Sequence, residues 1–259
     1  MTSFDIHAKN YDTVFTNSQI GKAQRDRVYH FLNQHISLDK NLTILELNCG
    51  TGEDANYFAK KGHTVFATDI SSEMIKVAKE KNKNTNVKFQ QLDITKITSE
   101  TFTEKFDLIF SNFGGLNCLS PQELEKFISI SNTLLTPTGK LALVIMPKNC
   151  LWERFYFSIK GEFKKARRRN TDKPVLVNVE GIQVPTCYYN PKELVSLASN
   201  NYKTKAIKPI GIKIPPSYLE SFFSNKKGLL KTYIWAEKLF ANRFWAKYAD
   251  HYLIVFQKK

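Results

Sequence analysis

The feature that most constrains this chain is a glycine-bearing turn that joins two apolar segments early in the sequence. Residues 42–47 have the composition of a buried strand, 48–52 of a tight turn, 53–61 of a helix, and 63–68 of a second strand that ends on Asp69. A strand–helix–strand unit of this kind lets the backbone of its first turn approach a ligand closely. The sequence therefore predicts an α/β fold with a ligand at this turn.

The glycines alone leave the class of ligand open. Gly50, Gly52 and Ala55 satisfy the dinucleotide pattern G-x-G-x-x-G/A, and Asp69 lies near the distance expected of an acid that holds ribose hydroxyls. A nicotinamide-dependent dehydrogenase is therefore one interpretation of this pattern.

Three acids around the turn argue against a diphosphate ligand. Glu46 ends the first strand, and Glu53 and Asp54 occupy the first helical turn. A pyrophosphate would normally sit there, on free N–H groups and the positive end of the helix dipole, and carboxylates would repel it. They would suit a ligand that carries an adenosine ribose together with cationic groups, as S-adenosylmethionine does.

Two segments carry a resemblance to a known family. E-L-N-C-G-T-G at 46–52, followed by A-T-D-I-S-S-E-M-I at 67–75, resembles the cofactor-binding signature of class I S-adenosylmethionine-dependent methyltransferases, of the small-molecule type. The family usually has glycine where this chain has Asn48. Asparagine tolerates positive φ better than other residues with a Cβ, so the turn can survive with an altered cofactor contact.

The resemblance implies a fold and a cofactor. The fold is a Rossmann-like seven-stranded methyltransferase sheet, mostly parallel with the last strand antiparallel, with helices on both faces and lid-like insertions. The cofactor is S-adenosylmethionine, with S-adenosylhomocysteine as product. The strands expected after the first two are residues 86–92, 106–112, 140–146 and 202–207, and residues 251–257 suit the antiparallel strand beside the fifth.

The resemblance also implies cofactor contacts. Tyr11, in a segment F-D-x-x-A-x-x-Y-D, would lie near the methionine end, Ile70 and Met74 against the adenine, and Asp93 at the adenine amino group. For Met74 a plain core position is the alternative. The full set of expected cofactor residues is Tyr11, Glu46, Asn48, Gly50, Gly52, Asp69, Ile70, Met74, Leu92, Asp93, Ile94, Asn112 and Phe113.

The segment after the fourth strand bears on the methyl acceptor. Amino-methylating nucleic-acid enzymes usually carry an Asp/Asn/Ser-Pro-Pro-aromatic motif here, whereas this chain has S-N-F-G at 111–114. A base-flipping amine methyltransferase is therefore disfavoured. S-N-F-G-G-L-N-C-L instead resembles small-molecule methyltransferases, with Phe113 and Asn117 on the substrate side. Asn117 could equally be a turn residue that satisfies its own backbone.

Two helical patterns outside this core yield further expectations. Residues 20–35 are predicted as a helix with Arg25 or Arg27 outward, and Arg25 could reach the cofactor carboxylate. Residues 150–169 place an aromatic stripe on one helix face, from which Trp152 and Tyr156 are predicted to contact the substrate. No catalytic constellation is visible among the histidines. Among them, His7 is the best available candidate for a catalytic base, because its segment is expected to cover the site.

The domain organisation follows from these segments. A single methyltransferase domain over 1–259 is expected, with a helical cover at 1–36 and a cofactor-binding core at 42–147. Insertions at 148–189 and 210–247 would form a substrate lid. The four cysteines are scattered without C-x-x-C spacing, so neither a metal site nor a disulfide framework is predicted.

The net charge of +14 is concentrated in two stretches. Residues 1–147 contain 16 basic and 16 acidic side chains, whereas 148–173 contain 9 against 3 and 203–247 contain 10 against 2. We call these the first basic segment (148–173) and the second basic segment (203–247). Such surfaces attract nucleic acid, anionic membranes or acidic carrier proteins, although a merely solvated basic face is the plainer interpretation.

The predicted function is methylation, at oxygen, of a lipophilic or aromatic small molecule that is free, carrier-bound or membrane-associated. The alternatives are an RNA or protein methyltransferase that uses the basic segments, and a non-catalytic cofactor-binding protein in which Asn48 marks decay. With no apolar run of 18 residues and no basic, apolar leader, a cytoplasmic location is expected, or one peripheral to the inner face of the membrane.

Overall fold

A seven-stranded sheet dominates the structure, a computed structural model that describes residues 11–179 and 182–259. Its strand order is β3-β2-β1-β4-β5-β9-β8, and β6 and β7 form a separate antiparallel hairpin. The strands are β1 (Thr43–Leu47), β2 (Thr64–Asp69), β3 (Val87–Gln91), β4 (Phe106–Ser111), β5 (Leu135–Ile145), β6 (Val175–Val179), β7 (Ile182–Thr186), β8 (Tyr202–Ile210) and β9 (His251–Lys258).

The pairing confirms the predicted methyltransferase sheet. β3, β2, β1, β4 and β5 run parallel, and β9 is inserted between β5 and β8, antiparallel to both. An antiparallel β9 begins at the edge where the parallel strands end, because Ile145 pairs with Tyr252. His251 therefore lies at the carboxyl edge of the sheet, where ligands of open α/β folds bind.

Helices cover both faces of this sheet. They are α1 (Gln19–His35), α2 (Glu53–Lys60), α3 (Ser72–Lys81), α4 (Pro121–Leu134), α5 (Leu151–Ile159), α6 (Phe163–Ala166), α7 (Pro191–Ala198), α8 (Glu220–Phe223) and α9 (Lys227–Glu237). Within residues 11–179 and 182–259, none of the helices combines the length and the apolar character needed to cross a membrane.

Two buried clusters, one on each face, hold the sheet. In β1, Leu45 and Leu47 pack on the side of α4 and α7, while Ile44 packs on the side of α1 and α2. This alternation follows from the period of two along a strand. Because both faces are covered, the central strands are apolar throughout, as parallel sheets require.

Helix α1 differs from its predicted orientation. Ser18 caps it by accepting a hydrogen bond from the Gly21 N–H, but Arg25 and Arg27 are both buried rather than directed outward. The second basic segment covers Arg27, which donates to the Glu237 carbonyl oxygen, whereas Arg25 lies on a different face against Asp54, Phe15 and Phe113. A sequence pattern on one helix does not reveal a neighbour more than 200 residues away.

The first basic segment also departs from the prediction. The expected helix over 150–169 is broken after Ile159 by Gly161, whose φ of +72° suits glycine, and α6 follows as a separate turn. The aromatic stripe is divided accordingly. Trp152 and Tyr156 pack inward against a third buried cluster, whereas the outer members of the stripe, Phe155, Ile159 and Phe163, are strongly exposed.

The second basic segment is tied down by its two carboxylates. Glu237 is buried and accepts hydrogen bonds from four consecutive backbone N–H groups, those of residues 211–214. Glu220 accepts from the N–H groups of Gln19 and Ile20 at the start of α1. This loop and the first turn of α1 thus receive their hydrogen-bond acceptors from the second basic segment.

The fifth strand begins earlier than predicted. β5 starts at Leu135 rather than at residue 140, so residues 136–139 lie inside an irregular first part of the strand. The pairing with β4 shifts register between Phe106 and Leu108, which accommodates these residues.

Candidate functional site

The turn after β1 has the backbone shape that its sequence suggested. Asn48, Gly50 and Gly52 all have positive φ, at 55°, 52° and 80°. A Cβ on Gly52 would stand 2.9 Å from the ring of Phe89, so both the conformation and the space require glycine there. The Gly50 N–H donates to Asp69 Oδ2 at 2.8 Å, which fixes the turn against the end of β2.

Asn48 links the ends of two neighbouring strands. Its Nδ2 donates to Ser111 Oγ at 3.2 Å, which connects β1 to β4. A Cβ on Gly115 would lie 2.3 Å from the same Nδ2 atom, so the asparagine side chain occupies space that only a glycine at 115 leaves open. The positive φ expected of Asn48 is present, and Gly115 is the residue that accommodates its side chain.

Buried carboxylates lie next to this turn. Glu46 is 1% exposed, and its Oε2 has no hydrogen-bond partner. Burial first, and then the neighbouring Asp54, raises the pKa of Glu46 well above its usual range. Asp54 is better satisfied, since it accepts from the Tyr29 hydroxyl at 2.5 Å and from Asn112 Nδ2 at 3.1 Å. A cationic ligand group would relieve the unfavourable burial of Glu46.

Arg25 is the buried cation nearest to these acids. Its Nε lies 3.7 Å from Asp54 Oδ1, and its guanidinium carbon lies 5.2 Å from the centre of the Phe113 ring and 6.0 Å from that of Phe15. Its Nη1 is buried without a hydrogen-bond partner. Arg25 therefore has a donor to spare for an anionic group, as predicted for a cofactor carboxylate.

The segment before α1 covers the turn. Thr51 Oγ1 donates to Asp12 Oδ1 at 2.5 Å, and Lys81 also contacts Asp12. The ring of Tyr11 lies over the turn, because a Cβ on Gly50 would be 3.7 Å from Tyr11 Cε1. Burial raises the pKa of Tyr11 to about 12. His7, the base suggested by the sequence, lies outside the described residues.

The residues expected around the adenine follow β2 and β3. Ile70 is 38% exposed and Met74 is buried, as in the plain core interpretation of that methionine. Leu92 donates its N–H to the Asp69 carbonyl oxygen, and Ile94 is buried. Asp93 accepts from the Thr95 N–H at 3.0 Å and from its hydroxyl at 2.7 Å. Their roles toward a cofactor stay predictions.

Phe113 follows β4 in a strained conformation. Its φ is 45°, an uncommon value for a residue with a Cβ, and Gly114 continues the left-handed turn with a φ of 74°. Strain of this kind persists where the surrounding structure enforces it and is frequent at functional sites. The ring of Phe113 meets Phe15 edge-on at 5.1 Å and the imidazole of His251 at 5.6 Å.

His251 forms an acid–imidazole pair that the sequence reasoning missed. Its Nδ1 lies 3.2 Å from Asp250 Oδ2 without forming a hydrogen bond, and Asp250 accepts hydrogen bonds from Arg169 Nη2 at 2.8 Å and Gln24 Nε2 at 3.2 Å. Burial alone would raise the pKa of Asp250, but His251 and Arg169 together hold it well below its usual range. The adjacent Asp-His pair at the start of the closing strand was the available sequence signal.

Asn117, predicted on the substrate side, hydrogen-bonds backbone groups of two distant segments. It is fully buried, its Nδ2 donates to the carbonyl oxygens of Met146 and Cys187, and its Oδ1 accepts from the Met146 N–H. Both amide hydrogens are therefore used to join the end of β5 to the chain after the β6–β7 hairpin. These bonds go to distant backbone groups rather than to its own turn, so they differ from the turn-residue alternative, and the predicted contact with substrate stays a prediction.

Trp152 and Tyr156 are half-buried away from Phe113. The Trp152 ring packs edge-on against Tyr233 at 5.7 Å and Phe223 at 6.4 Å, and Tyr156 lies 5.9 Å from Tyr218. Their predicted contact with substrate stays a prediction.

Comparison with known proteins identifies the domain that carries this site. Residues 44–139 match the model of a methyltransferase domain. The PH0226 protein from Pyrococcus horikoshii OT3 superposes with a TM-score of 0.62 at 17% identity, over 98% of this chain and 99% of that one. Residues 44–139 are a class I S-adenosylmethionine-dependent methyltransferase domain. A structure of DhpI in complex with SAH has the same fold, with a TM-score of 0.61 at 14% identity over 98% and 93% of the two chains.

Curated relatives match part of this chain. The malonyl-(acyl-carrier protein) O-methyltransferase of Bacillus anthracis is 34% identical over 142 residues, which are 52% of this chain and 50% of that protein. The non-reducing polyketide synthase ausA of Penicillium brasilianum is 26% identical over 158 residues, 56% of this chain and 6% of that protein. The chain thus spans half or less of the length of these relatives.

S-adenosylmethionine is the cofactor of such a domain, and the residues present fit it. The unpartnered Oε2 of Glu46 suits a cationic group, and the unpartnered Nη1 of Arg25 suits a carboxylate. Asp69, at the end of β2, is placed for ribose hydroxyls. These three groups would hold the donor, which supplies an electrophilic methyl group on a sulfonium.

Proposed function

We propose that this methyltransferase methylates oxygen on a lipophilic or aromatic small molecule that is presented by an acidic carrier protein. The observation that carries the proposal is the Asp250–His251 pair beside the strained Phe113, at the carboxyl edge of the sheet. No other imidazole in the described residues has this combination of a carboxylate partner and an aromatic neighbour next to the cofactor turn.

The aromatic surroundings support transfer in a water-poor site. Phe15 and Phe113 pack against each other and both lie against Arg25, and Phe113 also lies against His251. Transfer of a methyl group gains most of its rate from holding the accepting atom in line with the donor and away from water. Apolar rings on either side of the accepting atom would supply that confinement.

His251 is the proposed general base. An alcohol or phenol must lose its proton as the new bond to carbon forms, and a neutral imidazole oriented by a carboxylate is suited to take it. The nearby charge of Asp250 would stabilise the imidazolium, and the hydrogen bonds from Arg169 and Gln24 would hold Asp250 in place. A carboxylate acceptor is already ionised at neutral pH and would need no such base.

The carrier protein is proposed from two independent features. Relatives at 32–35% identity include enzymes named as malonyl-(acyl-carrier protein) O-methyltransferases, and polyketide synthases also match. The two basic segments, with 9 against 3 and 10 against 2 charged residues, would complement an acidic partner. The same charge would serve RNA or an anionic membrane surface, so the experiment includes both.

The test is transfer of a labelled methyl group from S-adenosylmethionine to matched acceptors. The same aromatic or acyl group is offered free and as a thioester on acyl carrier protein, alongside total RNA and anionic vesicles. We expect kcat/KM to be highest for the carrier-linked form. Transfer to RNA alone, with binding that weakens steeply with salt, would support the alternative of an RNA enzyme. Absence of S-adenosylmethionine binding by calorimetry would overturn the enzymatic proposal altogether.

A second measurement tests the base. His251→Gln should reduce transfer to a hydroxyl acceptor by about 10²- to 10⁴-fold while leaving transfer to a carboxylate acceptor within a few fold. Equal losses with both acceptors would indicate a positional role for His251 and contradict its assignment as a base.

A further inference from the structure

A basic cavity lies on the far side of Asp250 from His251. Its volume is about 220 Å³, and it is formed by α5, α6 and the residues that precede and follow them. Four cations and one carboxylate line it, together with small and amide side chains. The charged lining residues are Lys148, Glu153, Arg154, Arg167 and Arg169.

Arg169 gives this cavity a buried donor without an acceptor. Its side chain is 6% exposed, and its Nη2 donates to Glu153 Oε1 and Asp250 Oδ1, each at 2.8 Å. Its Nη1 donates to the Asp250 carbonyl oxygen at 2.9 Å, but its buried Nε has no hydrogen-bond partner. A buried N–H without an acceptor is costly, so an additional acceptor at this side chain would be stabilising.

The exposed rim of the cavity holds two further guanidiniums. Arg154 on α5 and Arg167 just after α6 are exposed, and neither forms an ion pair within residues 11–179 and 182–259. Lys148, in contrast, is already neutralised by Asp172 and Glu193. Three arginines around one cavity can therefore donate to a single group, and planar guanidinium forks match the oxygens of phosphate.

We propose that this cavity is a binding site for a phosphate group. Guanidiniums that approach from different directions suit the tetrahedrally arranged oxygens of a phosphate group better than the two coplanar oxygens of one carboxylate. The site is adjacent to the proposed base, because Asp250 Oδ1 contacts Arg169 while its Oδ2 faces His251. One carboxylate thus separates the phosphate site from the imidazole.

This geometry suits an acceptor with a phosphate at a distance from the methylated atom. The phosphodiester of a phosphopantetheine arm on a carrier protein has this arrangement, and that source rests on the proposed function. Free inorganic phosphate has the same chemistry and is the other source. The experiment separates the two, and the site itself is tested without any acceptor.

Titration calorimetry of the full chain with inorganic phosphate at low salt tests the site. We compare the wild type with Arg154→Gln/Arg167→Gln and with the control Lys164→Gln/Lys173→Gln, which removes the same charge from exposed residues of the same segment that do not line the cavity. The arginine variant should weaken phosphate binding about tenfold or more, and the control about twofold or less. Equal weakening by both variants, no binding by the wild type, or acetate binding as tightly as phosphate would overturn the proposal.

A second titration determines whether the bound phosphate group belongs to the arm of the acceptor or is free inorganic phosphate. If 4′-phosphopantetheine binds more tightly than inorganic phosphate, and pantetheine without the phosphate loses that gain, the arm of the acceptor is the ligand. Equal affinity for the two phosphates assigns the site to free phosphate, and both results support the site. S-adenosylmethionine titrated into the same variants should bind unchanged. Its failure to bind the wild type would overturn the proposed function while leaving the phosphate result standing.

Discussion

The cofactor-binding core (residues 42–147) and the two basic segments use their charged side chains in opposite ways. In the core, Glu46 and Asp54 are buried next to the cofactor turn, and Glu46 is left without a hydrogen-bond partner on one oxygen. In the second basic segment, Glu220 and Glu237 are both bonded to backbone N–H groups. The core thus keeps a buried carboxylate oxygen that is available to a ligand. The two carboxylates of the second basic segment are instead bonded to backbone N–H groups.

The two regions also differ in how much apolar side-chain surface they expose to solvent. Within 42–147, Ile70 is the one large apolar side chain that is strongly exposed, at 38%. The basic segments expose a set of larger patches next to their cations: Phe155, Ile159, Phe163, Phe222, Trp235, Leu239 and Phe244 are between 53% and 70% exposed. Exposed aromatic and apolar side chains of this kind are typical of interaction surfaces. The difference supports the proposal that the core holds the donor and that the segments select the acceptor.

The largest expected effect lies where the first basic segment meets the sheet. Arg169→Met would leave Glu153 and Asp250 buried with fewer cationic partners and should lower the free energy of unfolding by about 3 kcal/mol or more. Arg168→Met is the control, because Arg168 binds the same Glu153 but is 29% exposed, and about 1 kcal/mol is expected. Urea denaturation measures both, and equal losses would contradict a special role for the buried arginine.

The same network predicts how the free energy of unfolding changes as the pH is lowered. Both carboxylates of this network have lowered pKa values although burial opposes this: that of Glu153 is lowered by its arginine contacts and that of Asp250 by His251 and Arg169. Their contribution to stability is present above the pKa values of the unfolded chain, near pH 4, and is lost as pH falls through the lower folded values. Arg169→Met should therefore flatten the acid limb of the stability curve, and an unchanged slope would refute this account.

The second expected effect concerns the loop at residues 211–214. Glu237→Gln keeps one acceptor oxygen but removes the charge and one acceptor, so about 2 kcal/mol of stability should be lost. Glu220→Gln, at a half-buried site with two N–H donors, should lose less. Affinity for S-adenosylmethionine should stay within a factor of about two in both, since neither residue belongs to the core. A large loss of cofactor affinity in either variant would contradict the assignment of cofactor binding to the core.

A smaller effect is expected at the unusual turn of the core. Gly115→Ala would drive a Cβ against Asn48 Nδ2 and should weaken S-adenosylmethionine binding about tenfold, since the two strand ends must move apart. Asn48→Gly removes the obstructing side chain, so the double variant should bind nearly as the single Asn48→Gly variant does. Calorimetric titration of the four proteins completes the cycle, and additive losses would show that the two residues are independent.

The smallest expected effect is at Glu46. Because its folded pKa is raised, the penalty for its ionisation is absent below the unfolded value and grows as pH rises toward the folded one. Glu46→Gln should therefore raise Tm at pH 7 by a few degrees and leave it unchanged near pH 4, while S-adenosylmethionine affinity falls. A variant that is less stable than the wild type at pH 7 would contradict the assigned burial penalty.

The fold of the cofactor-binding core was predictable because the sequence patterns that specify it lie close together in the chain. The turn at 48–52, the acid at the end of β2 and the apolar strands follow one another within a few tens of residues, and the closing antiparallel strand has its own apolar pattern. Strand order then follows from the resemblance of these segments to one family. The positive φ of Asn48 could also be anticipated from the residue type.

The rest of the site depends on contacts between distant parts of the chain. Arg169 reaches Asp250 across 81 positions, Gln24 reaches it across 226, and Asn117 meets Cys187 across 70. No local pattern distinguishes a buried arginine in such a network from a solvated one, which explains the wrong orientation given to Arg25 and Arg27. The break at Gly161 was visible as a glycine, but the apolar period continued across it.

The carboxylates of the second basic segment have a kinetic consequence. Residues 203–247 contain 10 cations and 2 acids, and both acids are engaged by backbone amides rather than by those cations. An approaching acidic protein therefore meets a field that the segment's own side chains hardly attenuate, over a screening length of about 8 Å at physiological salt. Encounter rates with such a protein should rise steeply as salt is lowered, while the lifetime of the complex changes little.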